Sequence, residues 1–169
     1  MIKLDQTQLR KDLEQKIGQN KDLDSHQANL DELKNHSITI IRKSDLSDDF
    51  NCVMYALDFR LEDPTSPFGR YYANTKFLNF LIGKGYIKEL DPQTDAINDY
   101  AIYYQDEDIQ HIGLVSNDSF IESKWGAGHL FRHPFNQVPS SYGNVLRYFH
   151  SINSDMAIDY LIEFYSNLR

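Results

Sequence analysis

The chain has one cysteine, Cys52, in the stretch DDFNCVMYAL, where a run of N-cap residues gives way to apolar helical spacing. A helix starting there carries Asn51 and Cys52 in its first turn and turns Val53, Leu57 and Met54 inward. Free N–H groups and the dipole at a helix N-terminus favour a thiolate, the form that attacks a carbonyl carbon. Such a nucleophile needs a base. His111 is the candidate, because it interrupts the β-patterned run IQHIGLV. A third group must hold the imidazole. With Asn117 and Asp118 as a two-residue turn, Ser116 pairs with Ser119, which sets Gly113 opposite Glu122 and His111 opposite Lys124. Glu122 then lies diagonal to His111 on one sheet face, and glycine at 113 leaves room for the two side chains to meet. A slip of one residue brings Ser123 to that face instead and sends Glu122 away. Taken singly, the cysteine reads as a core filler, the histidine as a structural strand residue and Glu122 as an exposed carboxylate. Their order along the chain is what points to nucleophilic catalysis.

The elements that must position these groups follow from periodicity. Leu9, Leu13 and Ile17, then Leu23, Leu30 and Leu33, mark one or two amphipathic helices between Asp5 and Lys34, broken near Gly18-Gln19-Asn20. SITIIRK (37–43) reads as a short strand before the polar loop 44–49. The proline- and glycine-bearing LEDPTSPFGRYY (61–72) is an irregular loop. Asn74 or Thr75 caps a helix over 76–82 that Gly83 and Gly85 end. Strands are expected at 99–104, 109–116, 120–125 and 144–150, and a final helix at 154–168. Residues 124–142, with the only tryptophan, read as a loop; Trp125 either contacts substrate or seals the sheet edge. The fold class is α+β and the chain one domain: an N-terminal helical layer (1–36), a core (37–153) with a mostly antiparallel sheet, and a C-terminal helix (154–169).

Composition narrows the function. A length of 169 residues supports one hydrophobic core without staples, and a single cysteine excludes an internal disulfide or a multi-cysteine zinc site. His129 and His133, four apart, lack an evident third ligand, and Gly126, Gly128 and Pro134 oppose a helix there, so no metal is expected. A net charge of −8 without a Lys/Arg stripe argues against nucleic acid. No apolar run is long enough for a signal or a membrane span, so a soluble protein made in the cytosol is expected, with signal-independent export still open.

The order helix-borne Cys52, strand-borne His111 in a His-x-Gly setting and Glu122 on the next strand resembles the papain-like cysteine hydrolases, particularly the NlpC-type peptidases of bacterial cell walls. A second resemblance is to a family of small uncharacterised bacterial proteins. It rests on Asn51-Cys52 with Ala56, Ala101-Ile102-Tyr103, His111, Ser123-Lys124-Trp125-Gly126, His133 and Tyr142-Gly143. The first resemblance implies a cofactor-free thiol hydrolase, an amidase or peptidase, on a peptide-like or amide substrate. Cys52 would be the nucleophile and His111 the base, with Glu122, His133 or Ser123 orienting it, and Asn51, Tyr55 and Trp125 would supply oxyanion or substrate contacts. Asn-Cys-Val-Met departs from that family's usual Asp-Cys-Ser-Gly. The alternatives are a deamidase or transglutaminase-like effector using the same thiol, and a non-catalytic binding or immunity protein that meets a protein partner through its N-terminal helices.

Overall fold

The computed structural model describes residues 1–18, 22–44, 50–59, 73–91, 96–116, 120–126 and 128–167. The loops expected at 45–49 and 61–72 and the turn Asn117-Asp118 lie outside them. The described residues form an α+β fold in which seven strands make one antiparallel sheet. In chain order the strands are β1 (Ile2–Lys3), β2 (Thr39–Arg42), β3 (Tyr100–Gln105), β4 (Asp108–Val115), β5 (Phe120–Lys124), β6 (Leu130–Pro134) and β7 (Val145–Phe149). Across the sheet they run β1-β7-β3-β4-β5-β6-β2.

Helices cover both faces, so central β3 is buried from Tyr100 to Tyr104 rather than alternating with solvent. On one face lie α3 (Cys52–Ala56), α4 (Thr75–Gly83) and α5 (Ser154–Ser166), whose Val53, Phe77, Leu81 and Leu161 pack on Tyr100, Ile102 and Ile112. The other face carries the N-terminal layer: α1 (Gln8–Leu13), a π-helical turn over Glu14–Gly18, and α2 (His26–Glu32). From this layer Leu13, Ile17 and Leu30 pack on Ala101, Tyr103, Ile121 and Phe131. Four of the five described α-helices start at a side-chain cap: Thr7, Asn51, Asn74 and Asn153 accept from N–H groups of the first turns of α1, α3, α4 and α5.

Two strands escaped the periodicity argument. Leu130–Pro134 is β6, although its glycine flanks and its proline read as loop. Pro134 stands at the strand's last position, where its missing N–H costs no interior ladder bond. Ile2–Lys3 is too short to show any alternation, and it pairs with β7 at one sheet edge.

The hairpin register also differs from expectation. Leu114 pairs with Glu122 and Val115 with Ile121, and Ser116 N–H donates to Phe120 O. Ser116 thus faces Phe120, not Ser119, so the connection holds one residue more than a two-residue turn. Because side chains alternate, that one residue moves every β5 side chain to the opposite face. The room at Gly113 is also taken: a Cβ there would stand 2.5 Å from Ile121 Cγ2 and 2.8 Å from Ser123 Cβ.

Candidate functional site

Asn51 caps α3 as expected, its Oδ1 accepting from Met54 N–H at 2.9 Å, and Cys52 is the first helical residue. The Asn51 amide donates to Ala73 O at 2.8 Å, so this side chain both caps the helix and tethers its start. Cys52 is partly exposed as a residue and packs with the α3 face. Burial of its sulfur raises the thiol pKa, and this outweighs the backbone N–H groups of Ile112, Val53 and Cys52 itself, which favour the thiolate. The helix N-terminus therefore does not deliver the low-pKa thiol expected of it.

His111 stands on the other face. It pairs with Tyr103 across β3, lies 5.8 Å from that ring, and stacks on Tyr142 at 3.9 Å with planes 16° apart. The imidazole is buried, its Nε2 has no hydrogen-bond partner among the described residues, and its pKa falls well below the usual value through burial, with His133 nearby adding to the effect. The thiol and the imidazole are thus both neutral near pH 7 and extend from opposite sheet faces.

The third member expected from the two-residue turn is misplaced. Glu122 pairs with Leu114 on the α3 face, where Tyr55 Oη donates to its Oε2 at 3.4 Å. Tyr55 and Glu122 therefore meet each other beside the cysteine's helix, away from His111. The slipped register brings Ser123 to the face of His111, and Ser123 serves His133 rather than His111. His133 Nδ1 faces the Pro134 carbonyl at 2.9 Å and must donate to it, so Nε2 accepts from Ser123 Oγ–H at 2.9 Å. Ser123 Oγ in turn accepts from Trp125 Nε1–H at 3.1 Å. Burial holds His133 down to about 4, in keeping with a neutral ring in this chain of bonds. Trp125 is buried and stacked on Phe131 at 4.3 Å, which makes its ring part of the core between the sheet and the N-terminal layer.

Tyr142, Arg10, Glu14 and Gly143, which sequence reasoning left without a role, organise this cluster. Tyr142, on a 3-10 turn over Ser140–Tyr142, lies flat on His111, and its phenol pKa is raised well above normal by burial and next by Cys52. Arg10 of α1 is fully buried and donates to the carbonyls of Val138, Pro139 and Gly143, which holds the Tyr142 turn down. Glu14 adds bonds to the Ser141 N–H and hydroxyl. Gly143 has φ of 101°, and a Cβ there would lie 2.1 Å from Tyr104 O, so the turn requires glycine. Lys124, fully buried, donates to Ser44 Oγ at 2.7 Å and Gly128 O at 2.8 Å and lies 4.3 Å over the Phe50 ring, which places a cation beside the segment leading into Cys52. The Tyr-Gly pair was the one available sequence signal for the turn; nothing marked Arg10.

His129 accepts from Ser44 N–H through Nδ1 and faces Leu23 O through Nε2, both at hydrogen-bond distance. Among the described residues no three or more His, Cys, Asp or Glu side chains gather as metal ligands, and no helix is long and apolar enough to cross a membrane.

The model of a family described as a domain of unknown function, DUF7689, matches residues 41–150, more than half of the chain. The chain belongs to the DUF7689 family. The DUF7689 segment includes Cys52, His111, Ser123, Lys124, His133 and Tyr142, whereas α1 and α2 precede it and α5 follows it. Searches of curated proteins and of solved structures find no match to the chain.

Proposed function

We propose that Cys52 and His111 are the nucleophile and base of a papain-like thiol hydrolase or acyltransferase on an amide bond, in a resting arrangement with both groups neutral and unjoined. The observation that carries this reading is the buried Nε2 of His111, which has no hydrogen-bond partner among the described residues, on a strand whose next residue, Ile112, gives its backbone N–H to the Cys52 sulfur. A folded protein seldom leaves a buried ring nitrogen unpaired, and a base waiting for a proton accounts for it. In the reaction, the sulfur bonds to the amide carbonyl carbon as its proton passes to His111. The amine then leaves with that proton. Water attacks the thioester, gives a proton to His111, and the thiol is regenerated. The first-turn N–H groups of α3 face the developing oxyanion. Turnover requires the sulfur and the ring, which lie on opposite sides of β4 at rest, to come within hydrogen-bond reach, a rearrangement of β4 together with the Tyr142 turn that substrate would drive.

The experiment is alkylation of native protein by iodoacetamide across pH, clean because Cys52 is the only thiol. The expected profile inflects above that of an ordinary thiol and moves when His111→Gln removes the base; superimposable profiles for the two proteins sink the dyad. Intact mass of candidate target proteins then separates cleavage from deamidation, which adds about one mass unit.

A second reading, a non-catalytic binding or immunity protein, is favoured by the α1 clamp, in which Arg10 and Glu14 fasten the turn that covers His111. On this reading Cys52 stays protected until denaturant unfolds the chain, and His111→Gln leaves partner binding intact.

A further inference from the structure

On the face away from the N-terminal layer, the structure has a cavity of about 360 Å³ between the end of α4, the 85–89 segment and β7. Its apolar wall includes Ile82, Tyr104 and Phe149, and its charged groups are Lys88, Glu89, Glu107 and Arg147. Arg147 is the unusual member. It pairs with Ile102 on the core-facing side of the sheet, so its guanidinium lies over the Tyr104 ring at 4.9 Å instead of in open water. Its Nε is buried and has no hydrogen-bond partner among the described residues. Its ion pair among those residues, Nη2 to Glu107 at 3.5 Å, is long, and the Glu107 side chain is 86% exposed. Such a pair contributes little and gives way to a better acceptor. A guanidinium with an unmet in-plane donor is a carboxylate receptor, since Nε–H and Nη–H point in parallel at the two oxygens. The acidic neighbours decide what else the ligand carries. Glu89, Glu107 and Arg147 line one space with the Tyr104 phenol, whose pKa burial pushes up to about 12 against the opposing pull of Arg147, with smaller additions from the two carboxylates. With Lys88 and Arg147 balanced by Glu89 and Glu107, the cavity has no formal net charge, which suits a ligand carrying both a carboxylate and an ammonium group better than a multiply charged anion such as phosphate.

We propose that this cavity is a binding site for a small zwitterion of the α-amino-acid type, with its carboxylate on Arg147 Nε and Nη2, its ammonium at Glu89 and Glu107, and an apolar side chain on Tyr104 and Phe149. The site does not depend on Cys52 or His111 and stands whether or not the thiol is catalytic.

The test is calorimetric and NMR titration of the full chain with L-leucine, with N-acetyl-leucine, which lacks the ammonium, and with leucinamide, which lacks the carboxylate. Leucine is expected to bind and to shift the amides of Tyr104, Glu107 and Arg147, with each analogue at least tenfold weaker. Arg147→Met should abolish leucine binding while leaving the rest of the amide spectrum in place. Should that variant fail to fold, exposed Glu107→Gln is the check, expected to weaken leucine and leave N-acetyl-leucine unchanged. Absence of binding by leucine at millimolar concentration overturns the proposal. So does equal binding of N-acetyl-leucine, which would make the site a plain anion receptor, or full retention of leucine binding by Arg147→Met.

Discussion

At the scale of single residues, the sharpest contrast is between Glu122 and Ser123, neighbours on β5 facing opposite ways. Ser123 Oγ is bonded to both His133 Nε2 and Trp125 Nε1, and all three groups are buried. Removing the hydroxyl in Ser123→Ala leaves an acceptor and a donor without partners in a dry site, so we expect a loss of about 2–4 kcal/mol. Glu122→Gln removes one long contact with Tyr55 at a partly exposed position and should cost less than about 0.5 kcal/mol. Urea unfolding of the two variants checks both, and an inverted ranking would contradict the observed register. The sequence allowed either face for these residues. A two-residue turn and one a residue longer look alike in polar composition, yet they assign Glu122 and Ser123 oppositely. Cys52 at the start of α3 was legible from the N-cap chemistry of Asn51. Its raised thiol pKa was not, because desolvation depends on how β4 lies beneath the helix, which no local pattern encodes.

At the scale of elements, the cap of α3 and the tight contact at Gly113 make separate predictions. Asn51 both caps α3 and donates to Ala73 O, so Asn51→Asp should keep the cap and lose the tether, while Asn51→Ala loses both. We expect the alanine variant to be less stable by about 1–2 kcal/mol and the aspartate variant to lie between it and the wild type, measured by chemical denaturation. Gly113→Ala places a methyl 2.9 Å from the Glu122 carbonyl as well as against Ile121, so β5 must move off β4. A loss of about 1–3 kcal/mol is expected, with faster amide exchange confined at first to β4 and β5. Helices α3, α4 and α5 and strands β3, β4, β5 and β7 were readable because each carries its own period, cap or turn signal. β6 was hidden because its proline and glycine flanks are tolerated only at strand ends, a fact visible once its partners β5 and β2 are known. Arg10 gave no sequence signal at all: an arginine in a polar helix reads as surface, and only the carbonyls of Val138, Pro139 and Gly143, more than a hundred residues away in sequence, make it a core residue.

For the whole molecule, the buried imidazoles set how stability responds to acid. His111 and His133 titrate in the unfolded chain near the ordinary value of about 6.5. In the fold both are depressed, His111 well below that value and His133 to about 4, chiefly by burial. Between these limits the unfolded state binds more protons than the folded one, so stability rises with pH there and is fully present above about 6.5. As pH falls from about 6.5 towards 4, each histidine withdraws up to about 1.4 kcal/mol per pH unit, and the two together up to about 3. The net charge of −8 works the other way, since protonating surface carboxylates relieves self-repulsion, but that relief is screened by salt while the cost of charging a buried ring is not. At about 0.15 M salt the urea midpoint should therefore stay level from pH 8 to pH 7 and drop steeply between pH 6 and pH 5, with fluorescence of the single tryptophan, Trp125, and far-UV dichroism moving together because the histidines sit in the core shared by the N-terminal layer and the sheet. A midpoint that holds constant down to pH 5 would mean that water reaches these rings, and the closed packing of Tyr142 on His111 would then be excluded as the form that dominates in solution.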